Sequence, residues 1–172
     1  MLPRTCDFFV LRRLSPGDLT DFQAYRSDPQ VGLFQGWTPL SNDEALSYLA
    51  EVESAPLLAP GHWTQIAIAS IETDRLIGDL GLFVSADQSL AEIGFTLAPR
   101  SQGRGLATSA VLAAIELLFE RTSVQRILAI TDARNTPSIR LLVRVGMSLV
   151  STAEVVFRGE PCTESTYALV RQ

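Results

Sequence analysis

The sequence contains no lysine; all 14 of its basic residues are arginine. That excludes a lysine Schiff base and a P-loop, whose lysine reaches the terminal phosphates. It also leaves no internal lysine to be acetylated. Histidine is nearly absent: the one His62, beside Trp63, leaves no pair for a metal and no Ser-His-Asp triad, and reads as structural. The two cysteines, Cys6 and Cys162, lie at opposite ends without paired spacing, the pattern of a reduced, cytoplasmic setting. No apolar run approaches the roughly 20 residues a bilayer needs, so no membrane association is expected. Met1 to Val10 carries Arg4 and Asp7 and lacks the apolar stretch of a signal peptide. A net charge of −5 argues against nucleic acid as a partner.

What is present describes one ordered domain over residues 1–172, with 47% hydrophobic and 19% charged residues. The charges are unevenly placed. Between Ser27 and Pro99 the only basic residue is Arg75, among acidic residues such as Asp43, Asp79 and Glu92. From Arg100 to Arg144 seven arginines face only Glu116, Glu120 and Asp132. This is either a solvated surface or the footprint of an anionic ligand on the later half and a cationic one on the earlier half.

Local patterns predict the elements. Phe8 to Leu14 reads as a strand and Asp18 to Arg26 as a short helix ended by Asp28-Pro29. Ser41-Asn42-Asp43-Glu44 has the capping-box form and opens a helix to about Val52. Trp63 to Ser70, Leu76 to Val84 and Ala91 to Ala98 read as strands. In the last, Ile93, Phe95 and Leu97 point one way and Glu92, Gly94 and Thr96 the other. Gly105 to Glu120 is a helix apolar enough to pack across a sheet. Arg126 to Ile130 reads as a buried strand, and Pro137 to Val145 as a helix closed by Gly146. Met147 to Phe157 and Thr163 to Val170 form a hairpin around Gly159 to Pro161. The order β-α-α-β-β-β-α-β-α-β-β gives a mixed α/β (α+β) class, with a central twisted sheet of about seven strands and about four helices.

The chemistry-bearing stretch runs from Phe95 to Thr108: strand, tight turn, helix. A helix N-terminus offers unpaired N–H groups and a positive dipole end. Gly103 and Gly105 permit a sharp turn, Ala107 keeps the first helical turn narrow, and Arg100 and Arg104 add positive charge. Alone, this is either an ordinary strand-to-helix turn or an anion site. The dinucleotide fingerprint G-x-G-x-x-G/A fails at Thr108, and no acidic ribose-binding residue follows at the expected distance, which counts against a nucleotide-dependent oxidoreductase.

Gln102-x-x-Gly105-x-Ala107 resembles the Gln/Arg-x-x-Gly-x-Gly/Ala pattern of the GNAT superfamily of N-acetyltransferases, placed as there between the fourth strand and the third helix. Asn135-x-x-Ser138 and Gly146-Met147 resemble that family's Asn-x-x-Ser and Gly-Phe. Trp37 to Ser41 and Leu76 to Leu82 look like its RimJ/RimL-type branch, which includes acetyltransferases of ribosomal-protein N-termini and of small amines. The likeness spans most of the chain.

The resemblance implies acetyl-CoA as co-substrate and no metal. It assigns the backbone of Phe95, Thr96 and Leu97 to the pantetheine arm. Gln102, Gly103, Arg104, Gly105, Leu106, Ala107 and Thr108 would hold the pyrophosphate. Asn135 and Ser138 would lie beside the distal pantetheine and sulfur, with Arg140 reaching the cofactor from the same helix. In such a fold the Phe34 to Pro39 segment, the early helices and the Arg158 to Cys162 hairpin frame the acceptor, a small-molecule cationic amine or a peptide or protein N-terminus, with Phe34 and Trp37 as its contacts. Both monomers and homodimers occur in the branch.

An amine attacking a thioester needs a proton acceptor and a donor for the leaving thiolate; positioning supplies much of the rest. Glu92 is the candidate base, or else a solvent-facing strand residue. Ser138 is the candidate acid, or an ordinary helix-start residue. Asn135 is a cofactor contact, a helix cap, or both. Three positions depart from the family: Leu142 stands where many members have an acid tyrosine, Ser101 where the branch has an aromatic residue, and Ser109 where it often has an acidic one. The first leaves open a protein that binds acyl-CoA as a sensor or scaffold without turnover.

Overall fold

The computed structural model describes residues 1–171. An eight-stranded sheet runs in the order β1-β2-β3-β4-β5-β6-β8-β7. Its strands are β1 (Arg4–Thr5), β2 (Phe9–Arg13), β3 (Trp63–Ser70), β4 (Leu76–Val84), β5 (Leu90–Leu97), β6 (Arg126–Asp132), β7 (Ser148–Phe157) and β8 (Glu160–Val170). Helices α1 (Leu19–Arg26), α2 (Pro29–Gly32) and α3 (Asn42–Ser54) come early, and α4 (Leu106–Arg121) and α5 (Thr136–Arg144) late. Among the described residues only β5 and β6 pair in parallel, as the crossover through α4 demands.

The expected elements are present, with two additions. Strand β1 has two residues, and Arg4 ties it to α4 through Glu116 at 2.6 Å and Glu120 at 2.8 Å. The four-residue α2 starts on Asp28, whose side chain accepts from the Gln30 N–H. The sheet thus has eight strands rather than about seven, and five α-helices rather than about four.

The sheet separates two apolar layers. On one face α4 lays Ala110, Val111, Ala114, Leu117 and Leu118 on Ile66, Ile68, Leu80, Leu82 and Ile93, all buried. On the other, α1 and α3 place Phe22, Tyr25, Ala45 and Leu49 against Ala67, Leu76 and Ala98. Small residues on this second face let the helices approach the sheet. Helix α3 begins in the anticipated capping box: the Ser41 hydroxyl accepts from the Glu44 N–H, and Glu44 accepts from the Ser41 N–H at 2.8 Å. Cys6 and Cys162 are both free thiols.

Candidate active site

Strands β5 and β6 pair only where Leu90–Glu92 runs beside Arg126–Leu128. Beyond Glu92 they part, while β5 stays registered with β4 through Leu97. Residues 93–97 therefore have a strand on one side only. Two side-chain amides occupy carbonyls along the open side: Gln35 Nε2 donates to Phe95 O at 3.3 Å, and Gln102 Nε2 to Leu97 O at 2.9 Å. An unpaired strand edge of this kind accepts an added strand or an amide-bearing chain.

The gap leads to the N-terminus of α4. A 3-10 turn, Pro99–Ser101, is followed by Gly103 at φ 75° and Gly105 at φ 77°, both left-handed. No described atom lies within 4 Å of where a Cβ would stand on either glycine, so the turn is open above its backbone. Gly105 is the N-cap and brings no side chain to it; Ser109 is the first helix residue whose N–H returns to the turn, to Gly105 O at 3.1 Å. The N–H groups of Leu106, Ala107 and Thr108 stay available, with no acidic residue in the first turn. Helix α3, by contrast, is capped and carries Asp43 and Glu44 there. The α4 turn suits an anion.

Helix α5 starts where β6 ends. Asn135 caps it, its Oδ1 accepting from the Ser138 N–H at 3.4 Å, so the cap reading of Asn135 holds whatever else it contacts. Ser138 is half-buried and its hydroxyl has no hydrogen bond among the described residues, while Arg140 is exposed. The arginine-rich half is partly neutralised: Arg100 pairs with Asp21 at 3.1 Å and Arg134 with Asp132 at 2.7 Å. Arg104 and Arg140 enter none of the ion pairs among the described residues.

Glu92 lies at the fork, between Phe83 of β4 and Leu128 of β6, on the face away from α4. It is half-buried. Burial first, and the Glu164 charge on β8 second, raise its carboxyl above the ordinary glutamate value. On the same face, Asp79 stands opposite Thr96 in the β4–β5 register. A cavity of about 260 Å³ lies between α1, α3 and the segment that joins them, lined by Phe22, Arg26, Trp37, Thr38, Leu40 and Tyr48. Arg158, at the β7–β8 turn, donates to the carbonyls of Gln35 and Trp37 at 3.0 Å each, so the hairpin tip and the Phe34 to Pro39 segment do meet. Trp37 lines the cavity; Phe34 instead lies 5.8 Å from the Arg134 guanidinium.

Gln35, Arg26, Tyr48 and Glu164 were not singled out from sequence. One signal was available for Asp79, a carboxylate in the middle of the otherwise apolar run Leu76–Val84.

A helix end suited to an anion, an open strand edge leading from it, and a carboxylate at the fork together suit transfer of an acyl group from a phosphate-bearing carrier. Residues 9–148 match the acetyltransferase (GNAT) domain. An uncharacterized N-acetyltransferase p20 of Bacillus licheniformis is 31% identical over 135 residues, 77% of this chain and 75% of that protein. An acetyltransferase (GNAT family) from Bacillus anthracis has the same fold at TM-score 0.85 and 20% identity, covering 96% of both chains. RimL, a ribosomal L7/L12 alpha-N-protein acetyltransferase solved with coenzyme A, superposes at TM-score 0.82 and 15% identity, covering 98% of this chain and 97% of its own. No helix among the described residues is long and apolar enough to cross a membrane. The chain belongs to the GNAT acetyltransferase family and is an acetyl-transferring enzyme.

Proposed function

We propose that this enzyme transfers acetyl from acetyl-CoA to a primary amine, on a small molecule or a peptide N-terminus, with both substrates bound together. The carrying observation is the uncapped α4 N-terminus beside the unpaired length of β5. The residues fit such a carrier: Gln102 to Thr108 would take the pyrophosphate on backbone N–H groups, with Arg104 beside them. The open edge at Phe95 and Leu97 would pair with the amide-bearing arm once Gln35 and Gln102 release their carbonyls. Asn135 and Ser138 would lie at its far end. Acetyl-CoA supplies the activated acyl group, so the chain needs no nucleophile of its own.

The amine must lose a proton, and Glu92 takes it, directly or through one water. A carboxyl held above its ordinary value by burial and Glu164 is better matched to that task near neutral pH. Ser138 carries a hydroxyl at the start of α5, where it would protonate the leaving thiolate. Leu142, in place of a tyrosine, favours a second reading: a protein that binds acyl-CoA without turnover. The free thiols accord with a cytoplasmic setting.

The test is calorimetric titration of acetyl-CoA into the native protein and a Thr108→Asp variant. Aspartate at the third position of α4 stabilises the helix by about 0.3–1 kcal/mol through the dipole, yet repels a phosphate there. Expected is micromolar binding that falls at least tenfold in a variant melting no lower than the native protein. Equal binding by both would return the turn to an ordinary connection. Amine-dependent thiol release separates the enzyme from the scaffold.

A further inference from the structure

Arg26 and Trp37 give the cavity between α1 and α3 a chemistry of its own. Arg26 is 7% exposed, and its guanidinium lies between two rings, 4.8 Å from the centroid of Phe22 and 4.4 Å from that of Trp37. Its Nη2 donates to both oxygens of Asp79 at 3.0 Å. Its Nε is buried and has no partner among the described residues, and the same is true of Trp37 Nε1. Both side chains line the cavity. Two buried N–H donors without acceptors at one site are costly, at about 1–3 kcal/mol each, unless something supplies an oxygen.

The charge of that oxygen follows from Asp79. It is 1% exposed and also receives the Tyr25 hydroxyl and, at 2.6 Å, Gln65 Nε2. Arg26 and Asp79 therefore neutralise one another inside the site. An anion in the cavity would sit beside a buried carboxylate, and a cation beside a buried guanidinium; a neutral carbonyl meets neither penalty. The remaining walls are the rings of Phe22, Trp37 and Tyr48, with Leu40 and Thr38. Such walls favour a flat, apolar body around the oxygen. Asp79, on which Arg26 is anchored, is the register partner of Thr96 of β5.

We infer that this cavity is the specificity site for the acceptor, and that it takes an amine whose apolar or aromatic body carries an uncharged carbonyl oxygen, docked on Arg26 Nε and Trp37 Nε1. The inference rests on the amine-acetylation reading above and narrows its substrate class. A primary amide answers the description; simple polyamines, which bring only charge, do not.

The probes are phenylalaninamide and phenethylamine, alike in ring and amine but differing in the carboxamide. Each is titrated calorimetrically into the native protein with and without acetyl-CoA, and each is assayed for acetylation. Phenylalaninamide should bind about five- to tenfold more tightly than phenethylamine, the ratio expected for one or two neutral hydrogen bonds. Trp37→Phe keeps the ring over Arg26 and removes the N–H. It should erase most of that preference while leaving acetyl-CoA binding unchanged. Equal affinity of the native protein for the two probes, or equal losses for both in Trp37→Phe, would overturn the inference. Absence of acetyl-CoA binding would sink the transferase reading instead, and the direct titrations would still decide what the cavity holds.

Discussion

Glu92 is a residue whose value depends on where a strand pairing stops. Glu92 is the last β5 residue with a partner on that side, so its carboxylate stands at the fork. Its carboxyl is raised, by burial first and Glu164 second. The sign of the consequences is fixed by that direction. A glutamate whose folded value exceeds its unfolded one binds more protons when folded. Stability therefore falls as pH rises from the ordinary glutamate value through the raised one. Activity does the reverse, since only the ionised form accepts a proton. We expect kcat/KM of the native enzyme to rise with pH through the raised value. In Glu164→Gln that limb should move to lower pH, because a repelling charge is gone. Glu92→Gln should lose the limb along with most of the rate and should melt no lower than the native protein at pH 7. A limb that stays put in Glu164→Gln would detach it from Glu92.

At the level of elements, β5 is held in place by a glycine of β4. A Cβ on Gly78 would overlap the Thr96 carbonyl and stand 3.0 Å from both Leu97 Cα and Leu97 Cδ1. Two of those three atoms are backbone, so the strand itself would have to move. Gly78→Ala should cost about 1–3 kcal/mol by overpacking. It should also push residues 96 and 97 away from β4 and toward the gap, weakening acetyl-CoA binding severalfold. Denaturant melts and calorimetry on the one variant check both halves. Full cofactor affinity alongside the stability loss would mean that the open edge plays no part in binding. The strands themselves were legible: apolar runs placed β3 and β4 at their observed bounds and β5 within one residue. The unforeseen β1 and α2 are short, and a two-residue strand tied down by Arg4 over 112 residues of chain leaves no periodicity to read. The glycine turn ahead of α4 was legible because its glycines, its helix and its motif are contiguous. Gln35 was not, since its amide meets Phe95 from 60 residues away, and Arg158 reaches Gln35 across 123.

Over the whole molecule, the sheet serves two layers of different character. The α4 layer is wholly apolar at its centre, and the open glycine turn leads into its N-terminus. The α1–α3 layer rests on small residues and on the buried carboxylate of Asp79, which gathers Tyr25 and Arg26 from α1 and Gln65 from β3. Burial first, then the Asp79 charge, holds the Tyr25 phenol well above its usual value, so it remains a donor at neutral pH. Helix α1 is thus fastened to the middle of the sheet through Asp79, while Asp18 and Asp21 tie its start to Arg12, Arg75 and Arg100. Removing the Asp79 acceptor should do more than delete hydrogen bonds, because it strands the Arg26 cation under two aromatic rings. We expect Asp79→Ala to lose roughly 3–5 kcal/mol in urea melts, the penalty for an uncompensated buried charge. Replacing the pair together, Asp79→Leu with Arg26→Met, should recover most of that loss, since apolar groups of similar volume need no partner. The same double variant should still bind acetyl-CoA, whose proposed site lies on α4 and the open edge, but should no longer distinguish a carbonyl-bearing amine. If the double variant is as unstable as Asp79→Ala, the fastening resides in Tyr25 and Gln65 rather than in the ion pair, and the charge argument fails.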